Sequence, residues 1–224
     1  MIEIVSATRL SREEFWKKSA LGISLRRLKN TNKLTPRIAF ENKKGMPEIY
    51  NKRISSAENH QILVFIHDDV WIDDCFFGER IHEGLEVFDV IGVAGNRRRV
   101  PDQPSWAFLD DKFTWDDKSN LSGKVAHGSG PFSRITTYGH VPAKCKLLDD
   151  IFLATKKASL VDNHILFDQR FKFHFVDMDF CRTAISKGLQ LGTWPICLTH
   201  QSRGAYSSSE WRTNYRIYQE KWGN

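Results

Sequence analysis

Apolar positions along the chain alternate between short unbroken runs and helically spaced sets. Ile2 to Ala7 is a run of the kind that forms a buried strand. Ser11, with Glu14 three positions on, has the form of a capping box and opens a predicted helix through about Ala20. PRIAFEN (Pro36 to Asn42) reads as a second strand, and Pro47 starts a helix that sets Tyr50, Ile54 and Ala57 on one face. That helix leads into ILVFI (Ile62 to Ile66), which runs directly into His67, Asp68 and Asp69. The order β-α-β-α-β predicts an α/β domain with a mainly parallel central sheet, right-handed crossovers and helices on its faces.

Beyond the acidic pair, Asp73 or Asp74 is placed to cap a helix carrying Ile81, Leu85 and Phe88 inward, and DVIGVAG (Asp89 to Gly95) supplies a fourth strand. From Asn96 to Lys146 the pattern breaks. This stretch is rich in Gly, Pro, Asp and aromatic residues, Trp106 and Trp115 among them, and so long a loop in a compact domain is expected to be functional. Regular structure resumes at Ile151 to Lys157, followed by a helix from Met178 to Lys187 ended by Gly188, then a strand over Leu189 to His200. The segment from Ser207 to Trp222 is an amphipathic helix candidate, with Trp211, Tyr215, Tyr218 and Trp222 spaced by four, three and four.

A length of 224 residues suits one domain. No apolar stretch approaches the roughly 20 residues that span a bilayer, and the first residues carry acids where a signal peptide would be basic and then apolar, so a cytoplasmic protein is expected. Cys75, Cys145, Cys181 and Cys197 form no CxxC pair, which argues against a zinc knuckle or a thioredoxin-like site. The net charge of +6 allows a polyanionic partner. Its clusters, at Arg26-Arg27, Lys43-Lys44 and Arg97 to Arg99, lie in separate segments and no nucleic-acid motif accompanies them, so nucleic-acid binding is not expected.

The acidic pair carries the most specific chemistry. Ligands gather past the carboxyl ends of parallel strands, and two carboxylates held there between apolar runs suit a divalent cation better than an idle turn. Asp177 and Asp179 follow Phe171, Phe173 and Phe175 at the start of a helix. An Asp there serves as a cap or as a general base, and spacing leaves both open. His200 ends a strand, and with one Asp and ligand phosphates it would complete a Mg²⁺ or Mn²⁺ shell.

Four segments in sequence carry a family resemblance: NKRISSAENHQILVFIHDDV, LDDIFLATKKA, FDQRFKFHFVDMDFCRTAISKG and LTHQSRGAY. Their order, from Glu41 to Tyr206, resembles the family-2-type glycosyltransferases of the nucleotide-diphosphosugar transferase (GT-A) fold, nearest to small bacterial relatives with an HDDV motif. The resemblance implies a single domain, residues 1–100 forming a nucleotide-binding half and 101–224 an acceptor-binding half. It makes Asp69 a metal ligand that His200 completes, and Asp68 a contact to the donor ribose or the metal shell. It puts Asn51 near the nucleotide, Glu41 or Asn42 at the nucleobase and Ala7 at the same donor cleft. Asp177 takes the place of the catalytic base, and Trp106, Asp149 and Asp150 face the acceptor.

The implied activity is a metal-dependent, inverting, non-processive hexosyl transfer. Its donor is a nucleotide-diphosphosugar with Mn²⁺ or Mg²⁺, and its acceptor a glycan, a lipid-linked sugar or a small molecule, in surface-glycan or secondary-metabolite synthesis. A peripheral membrane position and a homo-oligomer are compatible with it. Three positions depart from the family pattern: His67 replaces the first acid of a DxD triplet, Val176 replaces the Glu of an ED pair, and the first strand ends in SATR. The QxxRW motif of processive synthases is missing. The departures favour a second reading, a non-catalytic nucleotide-sugar or carbohydrate module, against which Asp69, Asp177 and His200 together weigh. A metal-dependent phosphoesterase or nucleotidyltransferase would need a denser acidic or glycine-rich phosphate site.

Overall fold

A computed structural model describes residues 1–29, 33–58, 60–202 and 206–223. The first third follows the expected order: β1 (Ile2–Ala7), α1 (Arg12–Lys18), α2 (Ala20–Arg27), β2 (Leu34–Ala39), α3 (Met46–Ile54) and β3 (Ile62–Ile66). β1 lies between β2 and β3, parallel to both. The Ser11–Glu14 capping box forms. The helix it opens is shorter than expected, because Ser19 caps the end of α1 in an extended conformation and its hydroxyl accepts from the Gly22 amide at 2.9 Å to begin α2. Gly22 is required there, since a Cβ would sit 2.2 Å from the Phe15 carbonyl oxygen. Tyr50 and Ile54 of α3 are buried, whereas Ala57 lies beyond the helix and is exposed.

The middle of the chain departs from expectation. After β4 (Val70–Ile72) and α4 (Phe77–Leu85), the single strand expected over Asp89 to Gly95 is two, β5 (Val90–Gly92) and β6 (Ala94–Asn96), which enter different sheets. Neither Asp73 nor Asp74 caps α4, whose N-cap is Phe76. Asp73 instead accepts from the Thr199 hydroxyl at 2.5 Å and the Phe132 amide at 3.0 Å, and Asp74 accepts from the Phe76 amide at 2.9 Å. The stretch expected to be loop holds β7 (Leu121–His127), β8 (Arg134–Gly139) and β9 (Ala143–Cys145). β8 (RITTYG) is mostly exposed and carries no apolar run, so periodicity could not mark it.

The remaining elements are β10 (Leu147–Leu148), β11 (Phe152–Lys156), α5 (Lys157–Asp162), α6 (Val176–Ser186), β12 (Leu191–Thr193), β13 (Leu198–His200) and α7 (Ser209–Trp222). The strand expected over Leu189 to His200 is thus also split, around Trp194 to Cys197, into β12 and β13 in separate sheets. The main sheet has the order β2-β1-β3-β11-β5-β12-β9, and β11 and β9 run against the other five strands, which keeps it mainly parallel. A second sheet, β10-β6-β7-β13-β4 with β8 beside β7, packs onto the same core. The result is one mixed α/β domain with helices flanking its sheets.

Two aspects of this topology build a site. β11 runs antiparallel to β3, so the residues before it return beside the end of β3, and the His67 amide donates to the Ile151 carbonyl at 3.2 Å. β13 pairs antiparallel with β4 and parallel with β7, which brings His200 opposite Val70 on one side and His127 on the other.

Candidate functional site

β3 is buried along its whole length, and the chain breaks from it into a turn at His67, Asp68 and Asp69 before β4 begins. Because β4 pairs with β13, Asp69 meets His200: His200 Nε2 is 3.4 Å from Asp69 Oδ2, and the Gln201 amide donates to the Asp69 carbonyl at 3.1 Å. His67, Asp69 and His200 each offer a ligand atom within 4.8 Å of the others. His67 Nε2 is buried without a hydrogen-bond partner and stands 3.6 Å from Asp150 Oδ1. Burial pushes Asp69 up, but the hydrogen bond and charge of His200 outweigh it and hold the carboxyl at about 2. Burial lowers His67, yet Asp150, Asp69 and Asp149 together raise it to about 9. These carboxylates draw positive charge to one point. Two imidazoles and an ionised carboxylate within reach of one point form a group that could hold a divalent cation.

The same three residues line a cavity of about 710 Å³ whose floor carries Asp149, Asp150 and Asp177. Asp149 and Asp150 arrive on the turn before β11, and Asp177 in the first turn of α6. Of the two roles left open for Asp177, the structure does not give it the N-cap position. Phe175 is the N-cap, with φ +65° and no side-chain cap bond, and Asp177 lies inside the helix. Burial first, then Asp150 and Asp149, push the Asp177 carboxyl well above the ordinary range; burial and Asp150 raise Asp149 likewise. Asp179 points elsewhere, accepting from Trp222 Nε1 at 2.7 Å and pairing with Lys221 at 2.7 Å, which ties α7 to α6.

Aromatic side chains wall the cavity. Trp106 donates its indole N–H to Asp149 Oδ2 at 2.7 Å and meets Tyr138 edge-on at 5.0 Å. Trp115 stacks on Tyr138 with centroids 6.0 Å apart and remains 53% exposed, leaving one face open to a ligand. The Tyr138 hydroxyl lies 2.9 Å from His127 Nε2.

The residues expected to hold the donor, at or near the ends of β1, β2 and β3, do not line this cavity. Ala7 ends β1. Thr8 beyond it donates its amide to the Ala39 carbonyl at 2.9 Å and accepts from the Asn42 amide at 2.8 Å. Burial raises Asp68, and the Thr8 hydroxyl opposes that shift, so the ends of β1, β2 and β3 converge as the parallel order required. Glu41 is exposed at φ +50°, and the Asn42 side chain is engaged with the Lys44 backbone. Asn51 is different: it is buried, and its amide donates to the Phe167 carbonyl and accepts from the Phe167 amide, both at 2.8 Å. Those bonds make it a tie between α3 and the segment before α6, in place of the expected approach to a nucleotide.

Sequence reasoning brought Asp69, His200, Asp149, Asp150, Asp177 and Trp106 to one place, and the structure does bring them together. It passed over His127, Tyr138 and Tyr206, which line the cavity, and treated His67 only as a departure from an acidic motif. The signal for His67 was its spacing, two residues before Asp69 and at the end of the same buried strand. None existed for His127, which meets His200 by strand pairing across some 70 residues of chain, or for Tyr138, which lies on the exposed β8 paired with β7.

Comparisons with other proteins agree with this geometry. The family model described as Glycosyltransferase like family matches residues 8–216. No curated protein matches by sequence. Among solved structures, the catalytic domain of Drosophila β1,4-galactosyltransferase 7 in complex with xylobiose superposes with a TM-score of 0.54 at 9% identity, covering 96% of this chain and 79% of that one. GalNAc-T7, crystallised with UDP, GalNAc and Mn²⁺, superposes with a TM-score of 0.55 at 10% identity, covering 99% of this chain and 48% of that one. The chain therefore belongs to the glycosyltransferase-like family, and its fold is the one these transferases share.

Proposed function

We propose that the chain transfers a sugar, with inversion, from a nucleotide-diphosphosugar to an acceptor hydroxyl, using a divalent cation held at Asp69 and His200. One observation carries this reading: the cation-competent group and the Asp177 carboxylate line the same aromatic-walled cavity. Family membership sets the reaction class, and Mn²⁺ and UDP in the GalNAc-T7 crystal support the cofactor and donor class.

When bound, the cation neutralises the charge that develops on the diphosphate leaving group. The side chains do the rest. Ala7, Glu41, Asn42 and Asp68, at the converging strand ends, hold the nucleotide and ribose. Asp177 accepts the proton of the acceptor hydroxyl as its oxygen bonds to the anomeric carbon. The carbon–oxygen bond to the diphosphate breaks on the opposite face with its electron pair, so configuration inverts. A raised carboxyl suits the task, because a base works best with an affinity for protons near the operating pH. Trp106 and Asp149 shape the acceptor side together, Asp150 adds negative potential, and the open face of Trp115 suits a sugar ring.

The test is transfer and donor hydrolysis across UDP-, GDP- and dTDP-sugars with Mn²⁺. Wild type should turn over at least one donor and Asp69→Ala none. Metal-dependent donor binding with no turnover under any acceptor condition would leave a non-catalytic nucleotide-sugar module as the function.

A further inference from the structure

We propose that the outer face of the second sheet docks on a membrane surface carrying anionic lipid, with Phe132 and Ile135 entering the headgroup layer and Arg26, Arg27 and Lys124 facing lipid phosphates. Strand pairing assembles this face. Trp71 lies opposite Thr199, Thr199 opposite Ala126, and Ala126 opposite Ile135. Cross-strand partners share a face, so Ile135 points away from the cavity that the neighbouring His127 and Thr136 line. Asp73 joins the same row through the Thr199 hydroxyl and accepts from the Phe132 amide at 3.0 Å, which sets Phe132 beside it.

The apolar side chains here add little to the core. Phe132 is 69% exposed and Ile135 63%, and Phe76, on the turn that follows Asp73 and Asp74, is 59% exposed. Phe132 also holds a left-handed backbone, φ +56°, which a bulky side chain adopts only where its surroundings impose it. The Asp73 bond imposes it, together with the Ser133 hydroxyl, which donates to the Gly130 carbonyl at 2.7 Å. The result is an aromatic ring fixed in solvent. A lone exposed apolar residue carries no meaning, but one held against its own backbone preference near two others does.

Charge selects the occupant. The Arg27 guanidinium lies 5.3 Å from the centre of the Phe132 ring and donates to the Ile72 carbonyl, and Arg26 before it donates to the Trp16 carbonyl at 3.2 Å. Lys124, two residues before Ala126 on β7, is exposed on the face of Ile135. Among the described residues no acid pairs with these cations. The acids close by are occupied, Asp73 by Thr199 and Phe132 and Asp74 by the Phe76 amide at 2.9 Å. Apolar tips beside uncompensated cations match an anionic bilayer surface, where apolar burial and attraction to lipid charge add. A second copy docked through the same face would set like charges against one another. The ribbon of β7 and β8 turns its other face, with His127, Thr136 and Tyr138, to the cavity, so docking keeps that cavity near the lipid surface. Binding here needs neither donor nor cation, so it holds or fails independently of the transfer reaction.

Co-sedimentation with phosphatidylcholine vesicles, prepared with and without phosphatidylglycerol, reads this directly. At low salt, wild type should bind the anionic vesicles far better than the neutral ones, and raised salt should release it. Phe132→Ser should weaken binding roughly 10-fold or more, whereas Phe132→Trp should retain it. Arg26→Gln and Lys124→Gln should each weaken it about five-fold. These side chains are exposed, so melting temperatures equal to wild type should accompany every change and separate it from a folding defect. Equal binding to neutral and anionic vesicles, no binding to either at low salt, or Phe132→Ser bound as tightly as wild type overturns the proposal. So does a wild-type dimer in sedimentation velocity that Phe132→Ser dissociates, which assigns the face to a second copy.

Discussion

The indole N–H of Trp106 donates to Asp149 Oδ2 at 2.7 Å, so an aromatic wall of the cavity and its acidic floor form one hydrogen-bonded unit. Trp106 is buried and its ring also meets Tyr138, which in turn reaches His127. Trp106→Phe keeps an aromatic ring against Tyr138 and removes only the donor. A hydrogen bond to a buried carboxylate contributes about 1.5–3 kcal/mol, which in a protein of this size corresponds to a melting point lower by roughly 3–12 °C. Calorimetry at pH 7 reads this directly; an unchanged melting temperature would mean the bond adds nothing.

Asn51 separates a structural role from a donor-binding one. Its two 2.8 Å bonds to the Phe167 backbone hold α3 against an aromatic cluster in which Phe167 stacks on Phe180 at 4.3 Å. Removing the amide leaves a buried carbonyl and a buried N–H unpaired, at about 1–3 kcal/mol each. Asn51→Ala should therefore lower stability by about 2–6 kcal/mol while the folded fraction binds UDP with wild-type affinity. A stable Asn51→Ala protein with weakened UDP binding would restore the nucleotide role.

What the chain made legible was whatever local pattern decides. The capping box at Ser11, the buried ILVFI run and the Pro47 helix start each follow from interactions within a few residues, and each formed. Asp69 was recognised from its place after that run and Asp149 through motif order, and the two share a cavity. The failures lie where non-local pairing decides. Val93 and the Trp194 to Cys197 stretch divide two apparent strands between two sheets, and β8 is a strand only because β7 offers it a partner. Asp73 was read as a cap from its neighbours in sequence, but its partners Thr199 and Phe132 come from distant segments. His127 joined the site by the same route, through its pairing with His200.

Stability against pH should show opposing contributions. Asp116 accepts from Arg98 Nε at 2.9 Å, Asn96 at 2.9 Å and Asn120 at 3.0 Å; Asp168 accepts from Arg170 at 2.7 Å and Lys221 at 2.8 Å. Arg98 and Arg170 are the main reasons both carboxyls lie well below the usual range. A carboxyl depressed by folding adds stability that is complete above its unfolded value of about 3.9 and disappears as pH falls through the folded value. Asp149 and Asp177 have the opposite sign: raised by burial, they cost stability near neutrality, and that cost is relieved as they protonate on acidification. Wild type should thus hold or gain stability in mild acid and lose it below about pH 4. Asp116→Asn should be less stable at pH 7 and show a shallower acid decline. Urea midpoints across that range provide the check, and an acid slope identical to wild type would show that Asp116 is not the group responsible.

Asp177 tests catalysis against folding most cleanly, because it is not the N-cap residue of α6. Phe175 occupies the N-cap, and Asn can keep the bonds Asp177 accepts from the first-turn amides, so Asp177→Asn chiefly removes a carboxylate that burial, Asp150 and Asp149 all disfavour. Loss of that charge should leave the protein as stable as wild type at pH 7 or more so, with the gain disappearing in mild acid where the wild-type carboxyl is already protonated. UDP binding should be unaffected, and turnover should fall by roughly 10² to 10⁴, the span that general-base catalysis supplies. The combination of a raised melting point and lost turnover is what a base held at the expense of stability produces. Transfer at a near wild-type rate by Asp177→Asn would assign the proton to another floor carboxylate, and Asp150, beside His67, would be the next to replace.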